Sequence, residues 1–248
     1  MKRIQNEPLI HCITNPISIN QCANVVLAVG ARPIMAEHPE EVAEITEMAK
    51  ALLLNLGNIT DVRMKSMMIS AKVAKEKQIP TVIDAVGIAC SELRRNYIED
   101  LLKVAKPTLI KGNYSEIKAL YDRTYHASGV EAEMSLTIEA VTSMAKDLAF
   151  QNQTMILASG AVDIATDGSR TVLLSQGSPQ LATISGTGCM QGAVCAAYLA
   201  EEESLEAVVT ACKVMGISGE RAETEKGPGS FLVNLLDQIW EVSRNENI

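Results

Sequence analysis

The chain has 248 residues, of which 47% are hydrophobic, 21% charged and only 3% aromatic. We expect a single domain over residues 1–248, because this length suits one α/β domain and the apolar fraction is ample for a buried core. The formal net charge of −8 provides no general attraction to a polyphosphate backbone, so no nucleic-acid partner is expected. No apolar run approaches the roughly 20 residues that cross a bilayer, and the polar start has no signal-peptide core. The sequence therefore predicts a cytoplasmic protein with no membrane partner.

The first half of the chain alternates short aliphatic runs with helical patterns. Strands are predicted at 9–14, 32–34, 51–56, 81–84, 108–111 and 155–159, and helices at 61–78, 92–104 and 136–150. Helix-start signals also occur at Asn15-Pro16 and at Pro39-Glu40-Glu41. This alternation predicts right-handed crossovers and a mostly parallel central sheet flanked by helices.

The second half of the chain changes pattern twice. Asp167-Gly168 stands between two alternating runs within 162–174, which predicts an antiparallel hairpin. From Gly186 onward the sequence is helical, with helices expected at 187–200, 204–222 and 230–243. The predicted fold class is therefore a three-layer α/β domain with a helical C-terminal third.

The six cysteines form no Cys-x-x-Cys pair, and only three histidines are present. Structural zinc is poorly supported, because such sites usually use paired ligands at short spacing. We expect most of these thiols to be small, buried and reduced core residues.

Polar and glycine residues gather just after the predicted strands, where open α/β sheets bind ligands. They comprise Asn15, Asn55–Asn58, Asp84–Gly87, Lys111–Asn113 with Glu116, and Ser159-Gly160, with Met35 after the second strand. Asp84 and Glu116 could hold Mg²⁺ through waters beside phosphates, and Lys111 could meet a phosphate as a point charge. Each residue, taken singly, could equally be a solvated loop charge or a helix cap. Asp163 and Asp167 also form an acidic pair, which the hairpin turn explains better.

The segment Ile184-Ser185-Gly186-Thr187-Gly188-Cys189-Met190 opens a helix rich in small residues. Its glycines allow a ligand close to the backbone, and successive N–H groups at a helix N-terminus can bind an anion. The same helix end favours a thiolate at Cys189. The alternative is a helix start with packing glycines and an inert thiol, and the segment alone leaves both open. Neither a P-loop nor the dinucleotide glycine spacing is present.

A second glycine-rich segment, Lys226-Gly227-Pro228-Gly229-Ser230-Phe231, lies between two predicted helices. It is either a rigid connection that starts the last helix or a loop that covers a nucleotide base or ribose. The sequence leaves this choice open.

Six segments occur together in one order, and their combination resembles the hydroxyethylthiazole kinase family of the ribokinase-like superfamily. They are His11-Cys12-Ile13-Thr14-Asn15, Gly30-Ala31-Arg32-Pro33-Ile34-Met35, Ile83-Asp84-Ala85-Val86-Gly87, Lys111-Gly112-Asn113 with Glu116, Ser185-Gly186-Thr187-Gly188-Cys189, and Lys226-Gly227-Pro228-Gly229-Ser230-Phe231. The resemblance covers about residues 8–240, and no single motif decides it.

This resemblance implies ATP-dependent phosphorylation of the hydroxyl of 4-methyl-5-(2-hydroxyethyl)thiazole, in thiamine biosynthesis or salvage. It also implies Mg²⁺ and a homotrimer with active sites between subunits. The residue roles that it implies are thiazole contacts from Met35, Gly186 and Asn15; ATP contacts from Lys111, Ser159 and Asn113; water-mediated Mg²⁺ binding by Asp84 and Glu116; and an anion hole formed by Gly186, Thr187, Gly188 and Cys189.

Four positions bear on how closely the chain follows related kinases. Cys189 stands where sugar-kinase relatives place an aspartate base. Ala85 replaces the proline that usually follows the aspartate, Lys111 replaces a commoner arginine, and Ser159 replaces a commoner threonine. The ammonium of Lys111 is a point charge, whereas the guanidinium of an arginine can donate two parallel hydrogen bonds. Lys111 should therefore orient a phosphate less strongly than arginine would.

Three alternatives to a thiazole kinase remain at this stage. A pyrimidine or sugar kinase of the same fold is disfavoured by the small apolar flank around Met35 and by Cys189. A cysteine-nucleophile transferase or hydrolase would need a base for Cys189, and no histidine in the sequence is identifiable as one. A non-catalytic ligand-binding protein is disfavoured by the intact Asp84, Glu116 and glycine segment.

Overall fold

The computed structural model describes residues 3–126 and 136–245. Within these ranges the strands are β1 (Leu9–Ile13), β2 (Arg32–Ile34), β3 (Ala51–Asn55), β4 (Thr81–Asp84), β5 (Leu109–Asn113), β6 (Met155–Ser159), β7 (Asp163–Thr166) and β8 (Thr171–Leu174). They form one sheet in the order β2-β1-β3-β4-β5-β6-β7-β8. Strands β1 to β6 pair in parallel, and β6, β7 and β8 pair antiparallel. The mostly parallel sheet and the hairpin are both confirmed.

Helices cover both faces of this sheet. In the described residues they are α1 (Ile19–Ala28), α2 (Val42–Met48), α3 (Asp61–Lys77), α4 (Glu92–Val104), α5 (Tyr114–Tyr121), α6 (Ile138–Asn152), α7 (Thr187–Leu199), α8 (Leu205–Arg221) and α9 (Pro228–Val242), with a 3-10 turn at Pro179–Thr183. None of these helices is long and apolar enough to span a membrane.

Alternating side chains of the buried strands pack into hydrophobic cores on the two faces of the sheet. In β3, Leu53 packs with the apolar faces of α1, α7, α8 and α9. Leu52 and Leu54 point the other way and pack with residues of α2, α3 and α4. A strand that is apolar on both faces is typical of a parallel sheet covered on both sides. The three-layer class with a helical C-terminal part is therefore confirmed.

Two predicted helix starts are wrong by a few residues. The side-chain oxygen of Asn15 accepts hydrogen bonds from the backbone N–H groups of Ile17 (3.1 Å) and Ser18 (3.2 Å). This asparagine turn occupies residues 16–18, so α1 begins only at Ile19. Likewise α2 begins at Val42 and not at the Pro39 signal.

Two other boundaries bear on the site. Strand β5 extends to Asn113, so Lys111 lies inside the strand and not at its end as predicted. Helix α9 begins at Pro228, directly after Gly227 with a φ of 106°. A glycine with positive φ followed by proline in the first helical turn makes this segment a connection that starts a helix.

Burial of the thiols follows the expectation. Cys12, Cys22, Cys195 and Cys212 are buried, Cys189 is partly buried and Cys90 is exposed, and all six are free.

Candidate active site

Asp84 and Lys111 form a buried ion pair at the middle of the sheet. They are direct partners in the β4–β5 register, and Lys111 Nζ lies 3.3 Å from Asp84 Oδ1. Their side chains are 1% and 4% exposed. Burial raises the pKa of Asp84, while Lys111 and Asn55 act against that rise. Burial alone would lower the pKa of Lys111, but Asp84 and Glu116 outweigh it and raise the pKa, so the ammonium stays charged.

Asn55, at the end of β3, connects this ion pair to the α7 segment. Its Nδ2 donates to Asp84 Oδ2 (2.7 Å) and to Cys189 Sγ (3.3 Å). Its Oδ1 accepts from Asn15 Nδ2 (3.0 Å) and from the backbone N–H of Gly57 (2.9 Å). A fully buried amide with all of its donors and acceptors paired holds its neighbours in fixed positions.

Sequence reasoning gave Asn55 no role of its own. The available signal was one amide at the end of the otherwise aliphatic Ala51–Asn55 strand. A polar residue there must be hydrogen-bonded when it is buried, but the pattern does not say to what.

The first turn of α7 faces the Asp84–Lys111 pair. Gly186 precedes this helix with a φ of 95°, and a Cβ there would lie 2.8 Å from Ser18 Cβ, so glycine is required twice over. A Cβ on Gly188 would lie 3.7 Å from Lys111 Nζ, and one on Gly192 would lie 3.5 Å from Asp84 Oδ2. The helix backbone therefore comes close to both charges.

The N-terminus of α7 offers hydrogen-bond donors beside this ammonium. The first backbone bond of the helix runs from Met190 N–H to Gly186 carbonyl oxygen at 2.8 Å. The N–H groups of Thr187, Gly188 and Cys189 come before it, where an α-helix has no intrahelical acceptors. Donors of this kind together with Lys111 make an environment that suits an anion.

Cys189 lies in the same turn and accepts from two amides. Asn15 Nδ2 is 3.5 Å and Asn55 Nδ2 is 3.3 Å from its sulfur. Because both amides donate, the sulfur acts as an acceptor at this position.

Glu116 is held by a capping box at the start of α5. The side-chain oxygen of Asn113 accepts from Glu116 N–H (2.8 Å), and Glu116 Oε2 accepts from Asn113 N–H (2.7 Å). Glu116 Oε1 accepts from Gly87 N–H at 2.7 Å. Burial raises the pKa of Glu116, the bond from Gly87 opposes the rise, and the negative charge of Asp84 adds to it.

The two carboxylates suit a metal that is bound through waters. All four of their oxygens already accept one donor, from Lys111, Asn55, Gly87 and Asn113. In the described part of the chain, no three His, Cys, Asp or Glu side chains are grouped to hold a metal ion. Mg²⁺ keeps several waters and often takes one or two carboxylates plus phosphates, so the residues present fit that mode of binding.

A cleft of about 770 Å³ opens beside the start of α7. Among the predicted site residues, Asn113, Ser159, Thr187 and Gly188 line it. The remaining lining residues are Gly160, Ala161, Asp163, Ser175, Gln176, Gly177, Ser178, Pro179, Leu181, Ala182, Gln191, Met215 and Gly216.

Asp163 in this cleft was misjudged from the sequence. Asp167 does serve the hairpin turn, where it accepts from the N–H groups of Ser169 (2.9 Å) and Arg170 (2.7 Å). Asp163 instead begins β7, lines the cleft and accepts from Gly160 N–H at 3.1 Å. Burial raises its pKa.

Met35 is separated from the cleft in the strand order, because β2 is an edge strand and the cleft lies at the ends of β5 and β6. It follows β2 directly, is half-buried, and packs against the same core layer as Cys189. The predicted residues thus form three groups: a cleft-lining set, a connected cluster of Asn15, Asp84, Lys111 and Cys189, and Met35 beyond β2.

Comparison with known proteins decides the family. The model described as the hydroxyethylthiazole kinase family matches residues 1–245. The chain belongs to the hydroxyethylthiazole kinase family.

Relatives within this family cover nearly the whole chain. It is 47% identical over 242 residues to "Hydroxyethylthiazole kinase 2" of Clostridium botulinum strain Hall, covering 96% of this chain and 91% of that protein. It is 38% identical to "Hydroxyethylthiazole kinase 1" of Methanosphaera stadtmanae, covering 97% and 90%.

Solved structures agree with this family membership. A hydroxyethylthiazole kinase protein from Pyrococcus horikoshii OT3 superposes with a TM-score of 0.86 at 34% identity, covering 96% of this chain and 89% of that one. The ADP complex of Bacillus subtilis pyridoxal kinase has a TM-score of 0.65 at 17% identity, covering 90% and 96%, and so shares the fold alone.

Proposed function

We propose that this chain transfers the γ-phosphoryl group of ATP to the hydroxyl of 4-methyl-5-(2-hydroxyethyl)thiazole. Family membership over residues 1–245 supports this reaction. The observation that carries it is the start of α7, where Gly188 and Gly192 lie beside Lys111 and Asp84 and the first N–H groups of the helix precede its first backbone bond. Phosphoryl transfer needs mainly positioning and charge neutralisation, and this arrangement provides both.

ATP occupies the cleft beside α7 in this proposal. Ser159 and Asn113 line the cleft wall at the ends of β6 and β5, and Thr187 and Gly188 lie at its α7 end. The triphosphate then runs toward Lys111, whose ammonium stays charged because Asp84 and Glu116 are close. The donors of Gly186, Thr187, Gly188 and Cys189 are directed at the phosphoryl group in transit.

Asp84 and Glu116 would hold Mg²⁺ through waters. When bound there, the ion neutralises charge on the phosphate oxygens. Each carboxylate is fixed by hydrogen bonds from groups outside the metal site, Asn55 for Asp84 and Gly87 for Glu116. This support keeps their charges in place as the phosphates bind.

The alcohol lies against Met35, Asn15 and Gly186, with its hydroxyl near Cys189. The transition state of phosphoryl transfer is loose, so little proton removal is needed before the P–O bond breaks. The hydroxyl proton then passes to water, or to Cys189 Sγ when this sulfur is the thiolate. The amides of Asn15 and Asn55 donate to this sulfur and stabilise negative charge on it.

The assembly and location in the cell complete the proposal. We infer a single domain that forms a cytoplasmic homotrimer with active sites at the subunit interfaces. Sedimentation should give three times the 26.7 kDa chain mass.

Coupled ADP release tests the reaction directly. ADP should form only when ATP, Mg²⁺ and hydroxyethylthiazole are all present, and mass spectrometry should find the phosphorylated alcohol. Pyridoxine, hydroxymethylpyrimidine and ribose serve as competing acceptors in the same assay. Faster turnover of any of these acceptors would contradict the assignment of the substrate.

A further inference from the structure

The segment that carries Met35 has weak support from the sheet. Strand β2 is only three residues long and lies at the sheet edge, so β1 is its sole neighbour in the described sheet. His11 of β1 pairs with Ile34, which leaves Met35 and the residues after it outside the ladder. Contacts other than strand pairing must hold this segment, Met35 to Glu37, which we call the Met35 wall.

Two buried side chains hold the backbone just beyond Met35. His11 Nε2 lies 2.9 Å from the carbonyl oxygen of Ala36, and Ser66 Oγ of α3 donates to the carbonyl oxygen of Glu37 at 2.7 Å. Both His11 and Ser66 are fully buried. Because they come from β1 and α3, they connect the segment to two elements outside it.

Arg63 of α3 adds a connection to the neighbouring loop. Its Nε donates to Glu37 Oε2 at 2.7 Å, and its Nη1 donates to the carbonyl oxygen of Asn58. The guanidinium therefore links the segment after β2 to the loop that follows Asn55, the last residue of β3. Asn55 in turn contacts Cys189, so the spacing between Met35 and Cys189 depends on these bonds.

The hydrogen-bonding role of His11 is determined by its partners. A carbonyl oxygen only accepts, so Nε2 carries the proton that is donated to Ala36. Burial lowers the pKa of His11, with Ala36 and Glu41 acting against that change. Nδ1 lies 2.9 Å from Thr46 Oγ1, whose hydroxyl donates to the carbonyl oxygen of Val42 at 2.7 Å. Both ring nitrogens are thus engaged away from Cys189, and His11 is a positioning residue.

We propose that His11, Ser66 and Arg63 form a clasp that holds the Met35 wall and thereby sets the selectivity for the acceptor alcohol. The proposal rests on the proposed function and on the thiazole contact from Met35. The clasp touches neither ATP nor the cleft beside α7 in this arrangement. Its loss should affect recognition of the alcohol and leave recognition of the nucleotide unchanged.

The test compares His11→Leu with His11→Gln by steady-state kinetics. Leucine removes the donor to Ala36, so KM for hydroxyethylthiazole should rise about threefold to tenfold, the size of one lost hydrogen bond. Neither kcat nor KM for ATP should change more than about twofold by the same argument. Glutamine can place an amide N–H near the Nε2 position, so His11→Gln should restore most of the affinity.

A selectivity measurement adds a second readout. We compare kcat/KM for hydroxyethylthiazole with kcat/KM for a homologue that has a longer alcohol arm. The ratio of the first to the second should fall in His11→Leu, because the Met35 wall is less constrained. Ser66→Ala should shift KM in the same direction, and it carries the test if His11→Leu fails to fold.

Thr154→Val is the matched control, because it also removes a buried hydrogen bond to a carbonyl, from Thr154 Oγ1 to Pro107 at 2.7 Å. This bond lies just before β5 and β6, at the amino ends of these strands and away from the predicted site residues at their carboxyl ends, so the control should lower the melting temperature without changing either KM. Equal KM shifts in the control and in His11→Leu, no shift in His11→Leu, or no rescue by His11→Gln would overturn the clasp. A wild-type chain that does not phosphorylate the thiazole would instead show that the proposed function is wrong, and the clasp proposal would fall with it.

Discussion

Cys189 is the residue whose chemistry differs most from a carboxylate base. Its sulfur accepts from the amides of Asn15 and Asn55, an environment that would suit the oxygen of a serine or a carboxylate equally well. Since the transition state is loose, we expect position to matter more than basicity here.

This expectation gives a mutant series at position 189. Cys189→Ser should keep measurable activity, within about 100-fold of wild type, the usual range for general-base catalysis. Cys189→Asp should equal or exceed the wild-type kcat if proton acceptance limits the step. Steady-state kinetics on folded variants, checked by circular dichroism, measures both. An inactive but folded Cys189→Ser enzyme would refute the positioning account.

The carboxylates should be far less tolerant. Charge reversal at Asp84 or Glu116 should nearly abolish turnover, and the isosteric Asp84→Asn and Glu116→Gln should lower kcat by about 100-fold or more. Raising Mg²⁺ should partly rescue Glu116→Gln, because its amide still fits the capping position. Glu92→Gln, an exposed change on α4, is the control. Wild-type kcat in Glu116→Gln would remove this residue from the mechanism.

Two helices begin where predicted because their cap side chains make no competing tertiary contact. Thr60 and Ser91 cap α3 and α4 through their hydroxyl oxygens, and both of these helices begin where predicted. Asn15 also carries a cap signal, but its side chain bonds both to the following turn and to Asn55. A tertiary contact of this kind is invisible in local sequence, which is why α1 was placed too early.

The same limit explains what was found of the site. Residues after the strands were identifiable, because parallel strands bring their carboxyl ends to one edge. The bond from Gln191 to Asp163 and three of the four bonds of Asn55 involve neighbours more than 20 residues away in sequence. Spacing alone could not supply these contacts.

The capping box of α5 gives a prediction at the scale of the element. Asn113→Ala removes the acceptor for Glu116 N–H and should cost about 1 kcal/mol of stability. Glu116 should then be less well fixed, so activity should require more Mg²⁺. Chemical denaturation and a Mg²⁺ titration measure the two effects. Asn152→Ala at the end of α6 controls for the loss of one side-chain bond; an equal Mg²⁺ shift there would contradict a specific link to Glu116.

At the scale of the molecule, one sheet edge collects groups from six parallel strands. In the proposed reaction, the phosphate donors come from α7, the charged groups from β4, β5 and α5, and the alcohol contact of Met35 from the end of β2. The bonds of His11, Ser66 and Arg63 to the segment after β2 are separate from the bonds that fix Asp84 and Glu116. This separation predicts that changes beyond β2 affect the alcohol and changes at α7 affect ATP.

Gly188 offers the most direct measurement of the central claim, which is that the transferred phosphoryl group binds at the first turn of α7. A Cβ at this position meets only Lys111 Nζ at 3.7 Å, so both Gly188→Ala and Gly188→Asp should fold. Isothermal titration with MgATP, followed by kcat/KM for ATP, compares the two variants. The added carboxylate should repel the phosphates and reduce kcat/KM for ATP at least about 100-fold below that of Gly188→Ala. If Gly188→Asp instead binds and uses ATP as well as Gly188→Ala does, the phosphates lie elsewhere and the account is wrong.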